Sequence, residues 1–198
     1  MVRHFGNTNE TPKVNGSLAE NGCGKFADIN DAALISLRKL GITHLWLTGI
    51  LEQASSTAYP ERPADSPLLL KGKAGSPYAI RDYFDVCPDY ATDPTKRLDE
   101  FKALLKRIKK RGLKTIIDFV PNHVARSYSS DIRPELSFGR NDDTGKFFDP
   151  NNNFYYLGEL HPGGGAPLKL PSSHGPVPYE AESEFGRVTG NNAISWTP

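Results

Sequence analysis

The sequence predicts an α/β fold, and three observations carry that expectation. The run Leu113-Lys114-Thr115-Ile116-Ile117-Asp118-Phe119-Val120 is almost unbroken in apolar character, which fits a parallel strand covered on both faces. An amphipathic stretch over residues 94–111 stands directly before it, with one apolar stripe and one basic face. Nearer the start, residues 2–5, 29–40 and 43–48 read as strand, helix and strand in close order, a βαβ unit.

Each element has a local reason. Residues 2–5 read as the tail of a strand, and residues 7–25, polar and glycine-containing, as a loop. Asp28 is the expected N-cap of the first helix, with Ala33, Leu37 and Leu40 on its buried stripe and Gly41 as its stop. The strand over 43–48 follows. Residues 49–92 form a long insertion rich in Pro, Ser and Ala, and loops of that length inside a compact domain are functional or disordered. Asp93-Pro94 is a strong helix start, with Asp as N-cap and Pro at the first helical position. Leu98, Phe101, Leu105 and Ile108 are its expected buried stripe, Lys102, Lys106, Lys109 and Lys110 its wet face, and Gly112 its end. After His123 the character changes. Residues 127–198 are rich in Asn, Gly and Pro, lack a helical period and offer only short aromatic runs such as Phe147-Phe148 and Phe154-Tyr155-Tyr156. They read as a separate, irregular β-containing subdomain.

Composition narrows the function classes. The 198 residues hold one domain, or one domain with a small excursion. Hydrophobic residues make up 37%, charged residues 24%, and the formal net charge is +1. Such a balance gives no electrostatic reason to expect nucleic acid or an anionic membrane. The basic face of the second helix is read as solvated, because cations in the last turns suit the helix dipole. No apolar run approaches the roughly 20 residues needed to span a bilayer. Residues 1–6 lack an apolar signal-peptide core, so a cytoplasmic location is the default expectation. Cys23 and Cys87 are too few for a disulfide framework or a zinc set.

The chemistry-bearing segment is Asp118-Phe119-Val120-Pro121-Asn122-His123. It sets a carboxylate, a carboxamide and an imidazole at the C-terminal end of the apolar strand, where barrels and open α/β sheets alike meet ligands. Asp-x-x-x-Asn-His after such a strand resembles the first signature segment of the alpha-amylase family of glycoside hydrolases. Upstream, Gly75-Ser76-Pro77-Tyr78-Ala79-Ile80-Arg81-Asp82-Tyr83-Phe84 resembles that family's Gly-Tyr-x-x-x-Asp-Tyr segment, with Pro77 standing where the family has glycine. The resemblance covers residues 26–128 well and the remainder loosely.

The resemblance implies an incomplete (β/α)8 TIM barrel, about its first three strands, over residues 1–123, and an incomplete inserted subdomain over 124–198. By carry-over, Tyr78 is the aromatic platform under the sugar ring and His123 hydrogen-bonds a hydroxyl of the same sugar. Asp118 acts one shell out, positioning an arginine near the nucleophile, Asp82 belongs to the same supporting layer, and Asn122 ligates a structural Ca²⁺ where the family has one. A retaining enzyme of this kind places two carboxylates about 5 Å apart across the scissile bond, and in the family these come from later strands. The barrel alone needs about 250 residues, and this chain ends at Ser195-Trp196-Thr197-Pro198 without a fourth strand. The expectation is therefore the N-terminal portion of an α-glucan-active glycosidase or glucanotransferase, inactive alone, with an oligo- or polysaccharide as partner.

Two look-alikes are set aside. Phe138-Gly139-Arg140-Asn141-Asp142 imitates the family's Gly-x-Arg-x-Asp nucleophile segment, but its glycine spacing is wrong and no strand precedes it. His161-Pro162-Gly163-Gly164-Gly165 imitates an esterase oxyanion loop, yet the chain has no Gly-x-Ser-x-Gly. The competing readings are a non-catalytic carbohydrate-binding α/β module and a doubly wound nucleotide domain. The second would need a Gly-rich βα turn, which Gly6-Asn7-Thr8-Asn9 does not supply.

Overall fold

The computed structural model describes residues 1–67, 70, 72–146, 149–154 and 156. The chain divides into two compact units, Met1–Ile132 and Arg133–Pro198.

The first unit is α/β, and its central feature is a parallel pair. β1 (His44–Leu47) runs beside β4 (Lys114–Ile117), in register from His44 opposite Lys114 to Leu47 opposite Ile117. Parallel strands need a crossover, and α3 (Arg97–Lys110) supplies it. A 3-10 turn, Pro94–Lys96, leads into α3, and the Thr95 N–H donates to the Asp93 carboxylate at 3.0 Å, the expected cap. Phe101 and Ile108 are buried as the periodicity requires, Leu104 joins them, and Leu98 and Leu105 are only half-buried. Lys102, Lys106, Lys109 and Lys110 face water, and Gly112 ends the helix at φ +71°.

Several sequence expectations are corrected. Val2–His4 is a 3-10 turn and not a strand: the Phe5 N–H donates to the Val2 carbonyl at 3.0 Å. So short an apolar stretch satisfies its backbone locally without a neighbouring strand. The stretch read as a loop contains α1 (Leu18–Asn21), started by a reciprocal Ser17–Glu20 capping box. α2 (Asp31–Lys39) is capped by Asn30, whose side chain accepts from the Ala33 N–H at 3.0 Å; Asp28 instead accepts from the Lys25 N–H at 2.7 Å, one turn earlier. The later start rotates the buried stripe. Leu34 is fully buried, Ala33 and Leu37 half-buried, and Leu40, just past the helix, is 75% exposed.

The insertion is not a loop throughout. β2 (Leu51–Gln53) pairs antiparallel with β3 (Ile80–Val86), with irregular register between the three partner pairs Leu51 and Val86, Glu52 and Asp82, and Gln53 and Ile80. The expectation that residues 113–120 are covered on both faces also fails. The strand is four residues long, and Ile116, Ile117 and Phe119 are 41%, 42% and 63% exposed, as is Trp46 of β1 at 63%. Among the described residues β4 pairs with β1 alone, which leaves its other edge unpaired.

The core lies between α2, α3 and the parallel pair. Phe26 is its centre, with its ring edge-on to Tyr90 at 5.9 Å and tilted on Phe101 at 5.4 Å. Arg107 closes one rim by donating to the carbonyls of Phe26 and Ile29 at 2.7 and 3.2 Å, which also satisfies the end of the 3-10 turn Phe26–Asp28.

In the second unit the described residues form turns and a 3-10 helix, Pro134–Leu136. The Asp142 carboxylate accepts from the N–H groups of Asn153 and Phe154 and from the Tyr156 hydroxyl, at 2.9 to 3.0 Å. The aromatic run Phe147-Phe148, Tyr155, the glycine-rich segment 161–165 and residues 195–198 lie outside the described residues.

Candidate functional site

β3 organises the site: one chemistry-bearing segment leads into it, and the chain that follows the other is bonded to it. Tyr78 stands in the turn just before β3 and is 48% exposed, its N–H donating to Ser76 Oγ at 3.3 Å. That turn is clamped from two sides. Ala54 donates its N–H to the Ala79 carbonyl at 2.9 Å, and Arg3 donates to the Ala74 carbonyl at 2.8 Å. Gly75 sits at φ +70°, and a Cβ there would stand 2.0 Å from the Ala54 carbonyl oxygen. Pro77, which departs from the resembled segment, is accommodated because the residue facing it is Gly49, where a Cβ would come within 2.5 Å of the proline ring.

Asp118 follows β4 directly; it is half-buried, and its N–H reaches the Leu47 carbonyl at 3.4 Å, extending the parallel ladder. Asn122 and His123 are exposed, with Asn122 Nδ2 3.4 Å from His123 Nδ1. From there the chain turns onto β3. The Ala125 N–H donates to Ile80 at 2.7 Å and that of Ser129 to Arg81 at 3.0 Å. Asp82 is fully buried and accepts from the N–H groups of Phe84 at 2.7 Å and Asp131 at 3.2 Å. Burial pushes its carboxyl above the ordinary range, opposed by those hydrogen bonds. Of the expected residues, then, Tyr78, Asn122 and His123 present their side chains to solvent, and Asp82 serves as an internal tie.

Sequence reasoning missed a buried ionic cluster beside this turn. Glu52, Arg62, Asp65 and Arg81 are each at most 7% exposed. Arg62 Nε lies 2.9 Å from Glu52 Oε1, and Arg62 Nη2 donates to the Gln53 carbonyl at 2.9 Å. Arg81 Nη1 is 3.3 Å from Asp65 Oδ2, which also accepts from the Ser55 N–H at 2.9 Å. Burial pushes the Glu52 carboxyl up to about 8, against the pull of Arg62. A second group, Arg97 with Asp85 and Glu61 at 2.6 Å each, ties α3 to the hairpin. The only sequence signal for either group was a near-equal mixture of signs through 52–97, which has no spacing rule.

An exposed aromatic ring, an amide and an imidazole can stack on the apolar face of a sugar and exchange hydrogen bonds with its hydroxyls. Asp82, the buried carboxylate beside the turn, is engaged by two backbone donors. Ca²⁺, which the resemblance attaches to Asn122, takes about six to eight oxygens. Among the described residues no group of three or more His, Cys, Asp or Glu side chains is gathered for a metal.

Residues 5–174 match the family described as alpha amylase, catalytic domain. Trehalose-6-phosphate hydrolase of Bacillus subtilis strain 168 is 29% identical over 175 residues, covering 88% of this chain and 23% of that protein. Maltase 1 of Drosophila virilis is 36% identical over 83 residues, covering 42% and 10%. Among solved structures, an alpha-amylase from Lactobacillus plantarum is 34% identical, covers 57% of this chain and 22% of that one, and superposes with a TM-score of 0.42. The chain thus spans less than a quarter of the length of each of these relatives.

Proposed function

The chain belongs to the alpha-amylase catalytic-domain family, and from that premise we propose that it carries part of the sugar-binding wall of an α-glucan-active, retaining glycoside hydrolase or glucanotransferase. In this reading residues 1–123 contribute the first parallel strands of a (β/α)8 barrel, β1 and β4 among them, and residues 124–198 part of a subdomain inserted after the third strand. Tyr78 stacks under a glucose ring, His123 hydrogen-bonds one of its hydroxyls, and Asp118, Asp82 and Asn122 support them. The observation that carries the proposal is the turn Asp118 to His123 at the C-terminal end of a parallel strand, seated against the strand that begins beside Tyr78. The names of the relatives, a trehalose-6-phosphate hydrolase and a maltase, support an α-linked glucoside as substrate class.

The nucleophile and general acid of a retaining glycosidase form a close carboxylate pair, and no Gly-x-Arg-x-Asp segment follows a strand in these 198 residues. The polypeptide alone is therefore proposed to bind without turnover. The test is incubation with maltooligosaccharides, read as reducing-sugar release against a buffer blank, beside binding measured by intrinsic fluorescence. Binding without release, weakened at least tenfold by Tyr78→Ala or His123→Ala, is the expected result. Turnover abolished by Asp142→Asn would overturn it. Binding insensitive to both alanine variants would remove the two residues from the site.

A further inference from the structure

We propose that Tyr83 is a positioning residue of this site: its hydroxyl pins the turn that carries Asn122 and His123 and so fixes where the imidazole stands. The inference deepens the sugar-binding reading and rests on it for the meaning of His123, but its own evidence is the geometry around one ring.

The Tyr83 hydroxyl donates to the Val120 carbonyl and stands 3.3 Å from that of His123. These two carbonyls bracket Pro121 and Asn122, so one phenol spans the turn. Pro121 lacks an N–H, which deprives the turn of one backbone tie of its own. At one end the turn is held by the Asp118 N–H on Leu47, and at the other by the Ala125 N–H on Ile80; Tyr83 acts between them. The ring is itself held in place. Phe119 lies against it at 5.2 Å and Tyr128 at 5.8 Å between centroids, both tilted. β3 fixes its backbone on the other side through the Ser129 N–H on Arg81. Burial pushes the phenol above its ordinary value, so it remains a donor across the working pH range of any glycosidase. A phenylalanine would fill the same space between the two rings but would leave both carbonyls without this donor. The chemistry thus separates packing, which the ring supplies, from placement of His123, which the hydroxyl supplies.

The test compares the wild-type chain with Tyr83→Phe by hydrogen–deuterium exchange and mass spectrometry at sub-micromolar concentration. Backbone exchange is followed in the peptide holding Ala125, Tyr128 and Ser129, and slow exchange at the imidazole C2–H is followed for His123 at one fixed pH. In the variant, the expected result is about fivefold faster backbone exchange in that peptide, the population change that one ordinary hydrogen bond produces. It should come with a changed rate of C2–H exchange at His123 and unchanged protection around Leu104 and Ile108. A purely packing role would leave the His123 exchange rate where it was. Unchanged exchange at both readouts would overturn the proposal. So would loss of protection throughout the chain, which would make the hydroxyl a general prop and not a device of this turn. Maltotriose added to the wild type should slow exchange at His123; a lack of response would count against the sugar reading alone and leave the Tyr83 comparison intact.

Discussion

Replacing Glu52 by glutamine should remove a pH dependence that the wild-type chain carries in its fold. Glu52 is fully buried on β2, opposite Asp82, and faces Arg62 at 2.9 Å and Arg81 at 3.9 Å. Asp65 shares both guanidinium groups, and Asp85 and Asp131 add negative potential. Burial outweighs the two cations and raises the folded-state value from 4.5 to about 8. A carboxyl whose folded value is raised binds its proton more tightly in the native state than in the unfolded chain. Its contribution to stability is therefore complete below about pH 4.5 and is lost as pH rises through about 8. At roughly 1.4 kcal/mol per pH unit of difference, the loss is of the order of a few kcal/mol. Asp82 and Asp85, also raised by burial, act in the same direction, so the comparison must be made with the variant and not on the wild type alone. Glu52→Gln keeps the shape and removes the titration. Urea unfolding followed by circular dichroism at pH 5, 7 and 9 should show the wild type losing more stability across that range than the variant. At pH 5 the two should agree within about 1 kcal/mol, the usual scale of one hydrogen bond. Equal slopes with pH would refute the reasoning. A loss of about 3–5 kcal/mol at pH 5 in the variant would do so too, because it would mean that Glu52 is held ionised as the essential partner of Arg62.

Other perturbations test separate parts of the structure. Leu104→Ala, at a fully buried position of α3, should cost about 2–5 kcal/mol in urea unfolding, whereas Lys102→Ala on the wet face should change little. Gly75→Ala forces a side chain into φ +70° and onto the Ala54 carbonyl; it should lower stability by about 1–3 kcal/mol and weaken sugar binding through Tyr78, and an unchanged melt would show the turn to be adaptable. The exposed Trp46, Ile116, Ile117 and Phe119 should make the isolated chain associate with rising concentration in size-exclusion chromatography, and Ile116→Lys should reduce that association. A sharp monomer peak at all concentrations, with cooperative melting, would favour a self-sufficient binding module.

What was legible in the sequence is what local physics settles. The Asp93-Pro94 start, the 3.6-residue period of residues 97–110 and the Gly112 stop specify α3 without reference to anything distant, and the structure has all three. The strands at 44–47 and 114–117 were legible from their apolar content, and the signature turn from its residue types. Tertiary structure alone decided which strands pair, across about 70 intervening residues, and which faces they cover. It also decided that Val2–His4, lacking a neighbouring strand, closes its hydrogen bonds as a 3-10 turn. The hairpin of β2 and β3 was invisible for a stronger reason. Its inward positions include Glu52, Arg81, Asp82 and Asp85, residues that no hydrophobic period would place inside. Buried polar and charged groups are tolerable only when their partners arrive from elsewhere in the chain, here Arg62 and Asp65 from the connecting loop and Arg97 from α3. That compensation exists in three dimensions and leaves no periodic mark on the sequence.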